Sequence, residues 1–165
     1  MFYRILFFLF VSLVQSFSQS SIRIMTYNLL NYGPEGSASR EPRFKRIIEE
    51  INPDILVVQE IDTQAGVDRF FSNCLNNTYS KADFYDTFSN LENAMFYKHD
   101  KIDFYYNERI ESDPRVINKF VVKTKGSDDT LYIYGAHLKS RRGYESTRAA
   151  QIDDLKNILN SSPIT

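Results

Sequence analysis

One run constrains the chain more than any other. Ile55-Leu56-Val57-Val58 is continuously apolar, follows the Asn52-Pro53 breaker and leads directly into Gln59-Glu60. A short apolar run between turn signals reads as a strand buried on both faces, in the middle of a covered sheet. Upstream, Phe44, Ile47, Ile48 and Ile51 recur at i, i+3, i+4, i+7 and mark one face of a helix that begins near Pro42 and ends at Asn52-Pro53. Before the loop Asn31 to Glu41, Ser21 to Leu29 alternates as a strand. Ile22, Ile24, Thr26 and Asn28 share one face; Arg23, Met25, Tyr27 and Leu29 share the other. The order β-α-β predicts two parallel strands with a right-handed crossover.

Further along, Gln64 to Leu75 is a second helix with Val67, Phe70, Phe71 and Leu75 inward. Tyr79 to Phe88 is aromatic and polar without a clear period. Ala94 to Tyr97, Phe104 to Tyr106, Val116 to Val122 and Leu131 to Leu138 are β-like, and Gly126-Ser127-Asp128-Asp129 predicts an antiparallel hairpin between the last two. A final helix runs from about Tyr144 to Leu159 with Ile152, Leu155 and Leu159 on one side. The class is α/β in one domain.

The segment 1–18 reads as a secretory signal. Arg4 supplies its positive end, Ile5 to Val14 its apolar core, and Ser16-Phe17-Ser18 the small residues before a cleavage at Gln19. The core is about ten residues, short of the roughly 20 that a membrane span needs. The expectation is an exported protein of bacterial type whose domain covers 19–165 and has no membrane span after cleavage. Cys74 is the single cysteine, so no internal disulfide forms and a cysteine-based zinc site is disfavoured. The 20 basic and 21 acidic residues nearly cancel, so no global basic field attracts polyanions. Phosphate handling then requires a local site or a bound cation.

Chemistry concentrates at strand ends. Glu60 closes the apolar run, on the face of Leu56 and Val58 by simple alternation; a carboxylate there must pair, bind a cation or emerge into solvent. Asn28 occupies the corresponding end of the first strand, as a turn-former or as an oxygen donor. If the two strands are adjacent, Asn28 and Glu60 lie side by side, and one carboxylate with one neutral oxygen suits magnesium. His137 ends the strand Leu131 to Leu138, on the face of Leu131 and Ile133. It is either a satisfied core histidine or a general acid or phosphoryl contact. Lys139, Arg141 and Arg142 form a basic cluster in a glycine-containing loop, Arg115 precedes a strand as an ion-pair or phosphate residue, and His99 sits in a surface turn. There is no phosphate-loop lysine motif, dinucleotide glycine fingerprint, zinc-binding histidine helix or serine nucleophile elbow.

Three segments together resemble the endonuclease/exonuclease/phosphatase superfamily, the DNase I-like fold. They are Ile24-Met25-Thr26-Tyr27-Asn28-Leu29, Asn52-Pro53-Asp54-Ile55-Leu56-Val57-Val58-Gln59-Glu60 and Gly135-Ala136-His137-Leu138-Lys139-Ser140. The resemblance implies a four-layer α/β sandwich, of which about the N-terminal half is present, ahead of Asp-x-Asn and Asp-His motifs. It implies phosphoester hydrolysis with Mg2+ or another divalent cation such as Mn2+ or Ca2+. Glu60 becomes the acidic metal ligand and Asn28 a member of the same metal and phosphate shell. His137 becomes the group at the scissile phosphate. Arg115 resembles a substrate-phosphate arginine, although Asp113-Pro114-Arg115 reverses the usual arginine-before-proline order. The expected substrate is a phosphodiester, nucleic acid first. A phospholipid or sphingolipid phosphodiesterase and a sugar or inositol phosphatase are the alternatives, and an inactive half-fold serving as a binding module is the alternative of another class. No obligate protein partner is expected.

Overall fold

The computed structural model describes residues 21–35, 37–86 and 92–161. The predicted leader, 1–18, lies outside them, as does the end of the aromatic stretch at 87–88.

Two sheets stack face to face. The first has the order β1-β2-β4-β3, from β1 (Ile24–Tyr32), β2 (Ile55–Ile61), β3 (Tyr79–Lys81) and β4 (Glu92–Lys98). The β1–β2 pair is parallel, as the β-α-β order requires, and β4 is antiparallel to both its neighbours. The second is an antiparallel meander of β5 (Ile102–Ile110), β6 (Ile117–Thr124) and β7 (Thr130–Ala136). The turn signal at 126–129 joins β6 to β7 as predicted, with Gly126 at φ +83°, a backbone setting that glycine adopts without steric cost.

Helices α1 (Glu41–Ile51) and α2 (Thr63–Cys74) cover the first sheet, packed against each other. Alternation along β2 then serves two cores. Leu56 and Val58 join Phe44, Ile48, Val67, Phe70 and Phe96 beneath the helices, while Ile55 and Val57 join Met95, Ile102, Phe120 and Val122 between the sheets. Burial on both faces is why this strand is a continuous apolar run rather than an alternating one.

Helix α3 (Glu145–Ser161) differs from expectation. Its one buried residue is Gln151; Ile152 and Leu155 are half-buried, and Leu159 is 44% exposed. The helix is held by polar contacts instead. Gln151 accepts from Lys139 N at 2.9 Å and donates to Arg115 O at 3.4 Å, and Ser112 donates to Asp154 at 2.9 Å.

At Gly135 of β7 the first sheet comes within close reach. A Cβ built there meets Phe120 and Val57 side-chain carbons at 3.3 Å and Asn93 Cβ at 3.4 Å. Gly135→Ala is therefore expected to cost about 1–3 kcal/mol, as overpacking does, read as a lower urea midpoint at unchanged slope.

Candidate functional site

Below the site, a polar layer interrupts the core between the sheets. Gln59 donates to Thr26 Oγ1 at 2.9 Å, and the buried Asn93 amide donates to Asn118 Oδ1 at 3.1 Å and to Gly135 O at 3.2 Å. The first bond ties β2 to β1 within one sheet, and the other two tie β4 across to β6 and β7 of the second sheet.

Glu60 is where the structure corrects the sequence reading. Strict alternation puts it on the helix side with Leu56 and Val58. Instead, Gln59 and Ile61 pair with the adjacent residues Asn93 and Glu92 of β4, so Glu60 is an extra residue, a β-bulge, with φ +58°. Ile61 takes the helix-side place, buried in the first core. The Glu60 side chain is thereby turned to the sheet–sheet side, where Asn28 and His137 meet it.

A matching irregularity ends β1. Asn28 pairs with Gln59 and Tyr32 with Ile61, leaving Leu29 to Asn31 opposite the single residue Glu60. Leu30 and Asn31 have φ +53° and +51°. Such settings cost about 1–3 kcal/mol each for non-glycine residues unless the surroundings hold them. Here they aim two amides inward: Leu30 N donates to Asn28 Oδ1 at 2.8 Å, and Asn31 N to Glu60 Oε2 at 3.0 Å.

The three groups then converge. Asn28 Nδ2 donates to Glu60 Oε1 at 2.9 Å, and His137 Nε2 lies 3.3 Å from the same oxygen. His137 follows directly after β7, so the contact joins the ends of two different sheets. Glu60 and His137 side chains are 15% and 13% exposed, buried enough to strengthen their interaction yet reachable. Arg115 stands behind them. Its Nη1 donates to the carbonyls of His137 at 3.2 Å and Leu138 at 2.9 Å, so that nitrogen shapes the backbone carrying His137. Burial pulls the Arg115 guanidinium below its ordinary range, and the nearby Glu60 charge opposes that pull.

The sequence-predicted Asn28, Glu60 and His137 thus come together, with Arg115 one step removed. His99 stays in an exposed turn, as read. The 139–144 loop carries Arg141 and Arg142 exposed, while Lys139 lies over the Tyr144 ring at 4.8 Å. Sequence reasoning missed Asn31, whose contribution is a backbone amide, and Gln151, whose amide braces the loop after His137. An open cleft of about 520 Å³ lies beside Arg115, lined also by Arg109, Glu111, Ser112, Asp113 and Asp154. Its three carboxylates outnumber its two guanidiniums, so it does not favour a polyanion.

The donor chemistry fits a hard divalent cation with few protein ligands. Glu60 offers a carboxylate that accepts from Asn31 N at Oε2 and from Asn28 Nδ2 at Oε1, and the Asn28 amide oxygen, which accepts from Leu30 N, could join it at a cation only with the amide turned over. Among the described residues no group of three or more His, Cys, Asp and Glu gathers.

Solved structures share this arrangement of strands and helices. D. rerio TDP2 complexed with a single-strand DNA product superposes with a TM-score of 0.67 at 17% identity, over 86% of this chain and 56% of that one. The human Nocturnin catalytic domain with a bound sulfate anion gives 0.64 at 25% identity, over 84% and 58%. An endonuclease/exonuclease/phosphatase family protein from Bacteroides thetaiotaomicron gives 0.68 at 15% identity, over 86% and 59%. The chain has the DNase I-like fold. It spans somewhat under two thirds of the length of these DNase I-like structures. No family model and no curated protein matches the sequence.

Proposed function

We propose that the chain carries the Glu60 half of a divalent-metal-dependent phosphoesterase, acting on phosphodiesters and on nucleic acid first. The observation behind this is the meeting of Glu60, Asn28 and His137, brought together from two sheets by a bulge whose evident effect is to re-aim a carboxylate. The similar folds support the substrate class: TDP2 is complexed with a DNA product, and Nocturnin holds sulfate, a tetrahedral anion like phosphate.

In this reading Glu60 would hold Mg2+, or Mn2+ or Ca2+ in its place, joined by the Asn28 oxygen once that amide turns over, and the ion would supply charge neutralisation at phosphoryl oxygens. The chain's own residues do the rest. The Asn31 backbone amide keeps Glu60 in one rotamer. His137 presents an imidazole N–H that can donate to a phosphoryl oxygen or to the leaving oxygen. Arg115 fixes the backbone behind that imidazole and adds positive potential. Export is part of the proposal and is supported by the leader pattern of residues 1–18. No helix among the described residues is long and apolar enough to cross a membrane.

The test is Mn2+ titration followed by paramagnetic broadening of amide resonances. Broadening is expected to centre on Asn28, Asn31, Glu60 and His137 and to vanish in Glu60→Gln. Broadening centred elsewhere, or surviving that substitution, overturns the assignment.

A further inference from the structure

We propose that Arg40 is a positioning residue for the site, the clamp that holds the strained end of β1 in the shape Glu60 requires. The inference rests on the site reading above, but its structural core can be tested separately. Arg40 lies between the loop 33–39 and α1, outside both strands of the site and carrying no contact to Glu60. Its guanidinium nevertheless gathers three successive carbonyls of the β1 end: Nη1 donates to Leu29 O at 2.6 Å and Leu30 O at 2.8 Å, and Nη2 to Asn31 O at 3.4 Å. Nη2 also donates to Ser37 Oγ at 3.2 Å, and the buried Ser37 hydroxyl accepts from Gly33 N at 3.3 Å.

The chemistry suits the task. Three carbonyls turned to one side are what a left-handed pair such as Leu30-Asn31 produces, since the amides of the same residues are then turned to the other. A planar, rigid fork of five N–H donors is pre-organised to satisfy several such carbonyls at once, where an ammonium has three donors on a flexible stem. The guanidinium is itself held in place, 5.6 Å from the Phe44 ring centroid and 6.0 Å from that of Tyr32. Tyr32 in turn donates to Glu41 at 2.9 Å, so the clamp is anchored to α1. Arg40 holds the carbonyl side of the segment; Asn28 and Glu60 use its amide side.

The test compares Arg40→Gln and Arg40→Lys with the parent chain. Solvent exchange of the Leu30 and Asn31 amides is expected to rise about tenfold or more in Arg40→Gln, and by less in Arg40→Lys, as charge-assisted bonds to the segment are lost. Exchange at Val58 and Phe96, in the centre of the first sheet, stays unchanged. The Mn2+ concentration needed to broaden Asn31 rises in the same order. Unchanged exchange at Leu30 and Asn31 overturns the proposal, as does uniform acceleration that includes Val58 and Phe96, which marks a general stability role. If Glu60→Gln leaves the Mn2+ response intact, the metal reading fails while the exchange result still decides the clamp.

Discussion

Phe70→Ala is expected to lower the unfolding free energy by about 3–5 kcal/mol, with Tm falling by roughly 2–4 °C for each kcal/mol. Phe70 is fully buried at the centre of an aromatic cluster, with ring centroids 5.2 Å from Tyr32, 5.9 Å from Phe44 and 5.4 Å from Phe96. It is where α2, α1, β1 and β4 meet. Removing the ring loses both its transfer from water and the contacts of three neighbours that cannot collapse into the gap together. Phe70→Leu keeps much of the volume and is expected to cost clearly less. Urea unfolding of the two variants checks this; equal losses would show that ring shape, rather than cavity size, decides stability here.

Asp54→Ala is expected to cost a similar amount, about 3–5 kcal/mol, because it strands a buried cation. Asp54 is 3% exposed and accepts from Arg23 N at 3.0 Å, Lys98 Nζ at 3.0 Å and Lys101 Nζ at 2.9 Å. Lys98 is itself buried, so its ammonium loses its counter-charge without gaining water. Lys98→Met in the same chain is expected to recover part of the loss. The acid side follows from the same contacts. Burial by itself raises the Asp54 carboxyl, but the Arg23 amide and the two lysines outweigh it and hold the group down at about 2. A carboxylate depressed by folding contributes stability above its ordinary value near 3.8, and that contribution is lost as pH falls towards 2. The part at stake is about 2 kcal/mol. It should disappear from the pH profile of Asp54→Asn.

Much of this architecture was readable because one physical signal dominated each element. The β2 run is apolar throughout because two cores need it, and the Gly126-Ser127-Asp128-Asp129 turn needs its glycine. Glu60 and His137 are placed at strand ends by pattern alone, whereas β1 runs on past Asn28 to Tyr32, through the irregular residues Leu29 to Asn31. What alternation could not show is the bulge. A period of two carries no mark of an extra residue, and Glu60 therefore came out on the wrong face. Asp54 was legible only as part of a motif, although its work is to tie the beginning of β2 to Lys98. Arg40 gave no signal, since a lone arginine between loop and helix resembles any solvated charge. In α3 the apolar spacing pointed to Ile152, Leu155 and Leu159, whereas the contacts that dock the helix come from Gln151 and Asp154. Amides and carboxylates that anchor an element leave no periodicity to read.

The bulge at Glu60 also bears on the order in which the site assembles. Parallel β1–β2 pairing needs a crossover to close first, while β5, β6 and β7 meet through short connections and close at smaller entropic cost. Asn28 and Glu60 belong to the slow pairing and His137 to the fast one. The Glu60–His137 contact can form only after each sheet exists and the two have docked. A partly folded chain can therefore possess either half of the constellation without the whole.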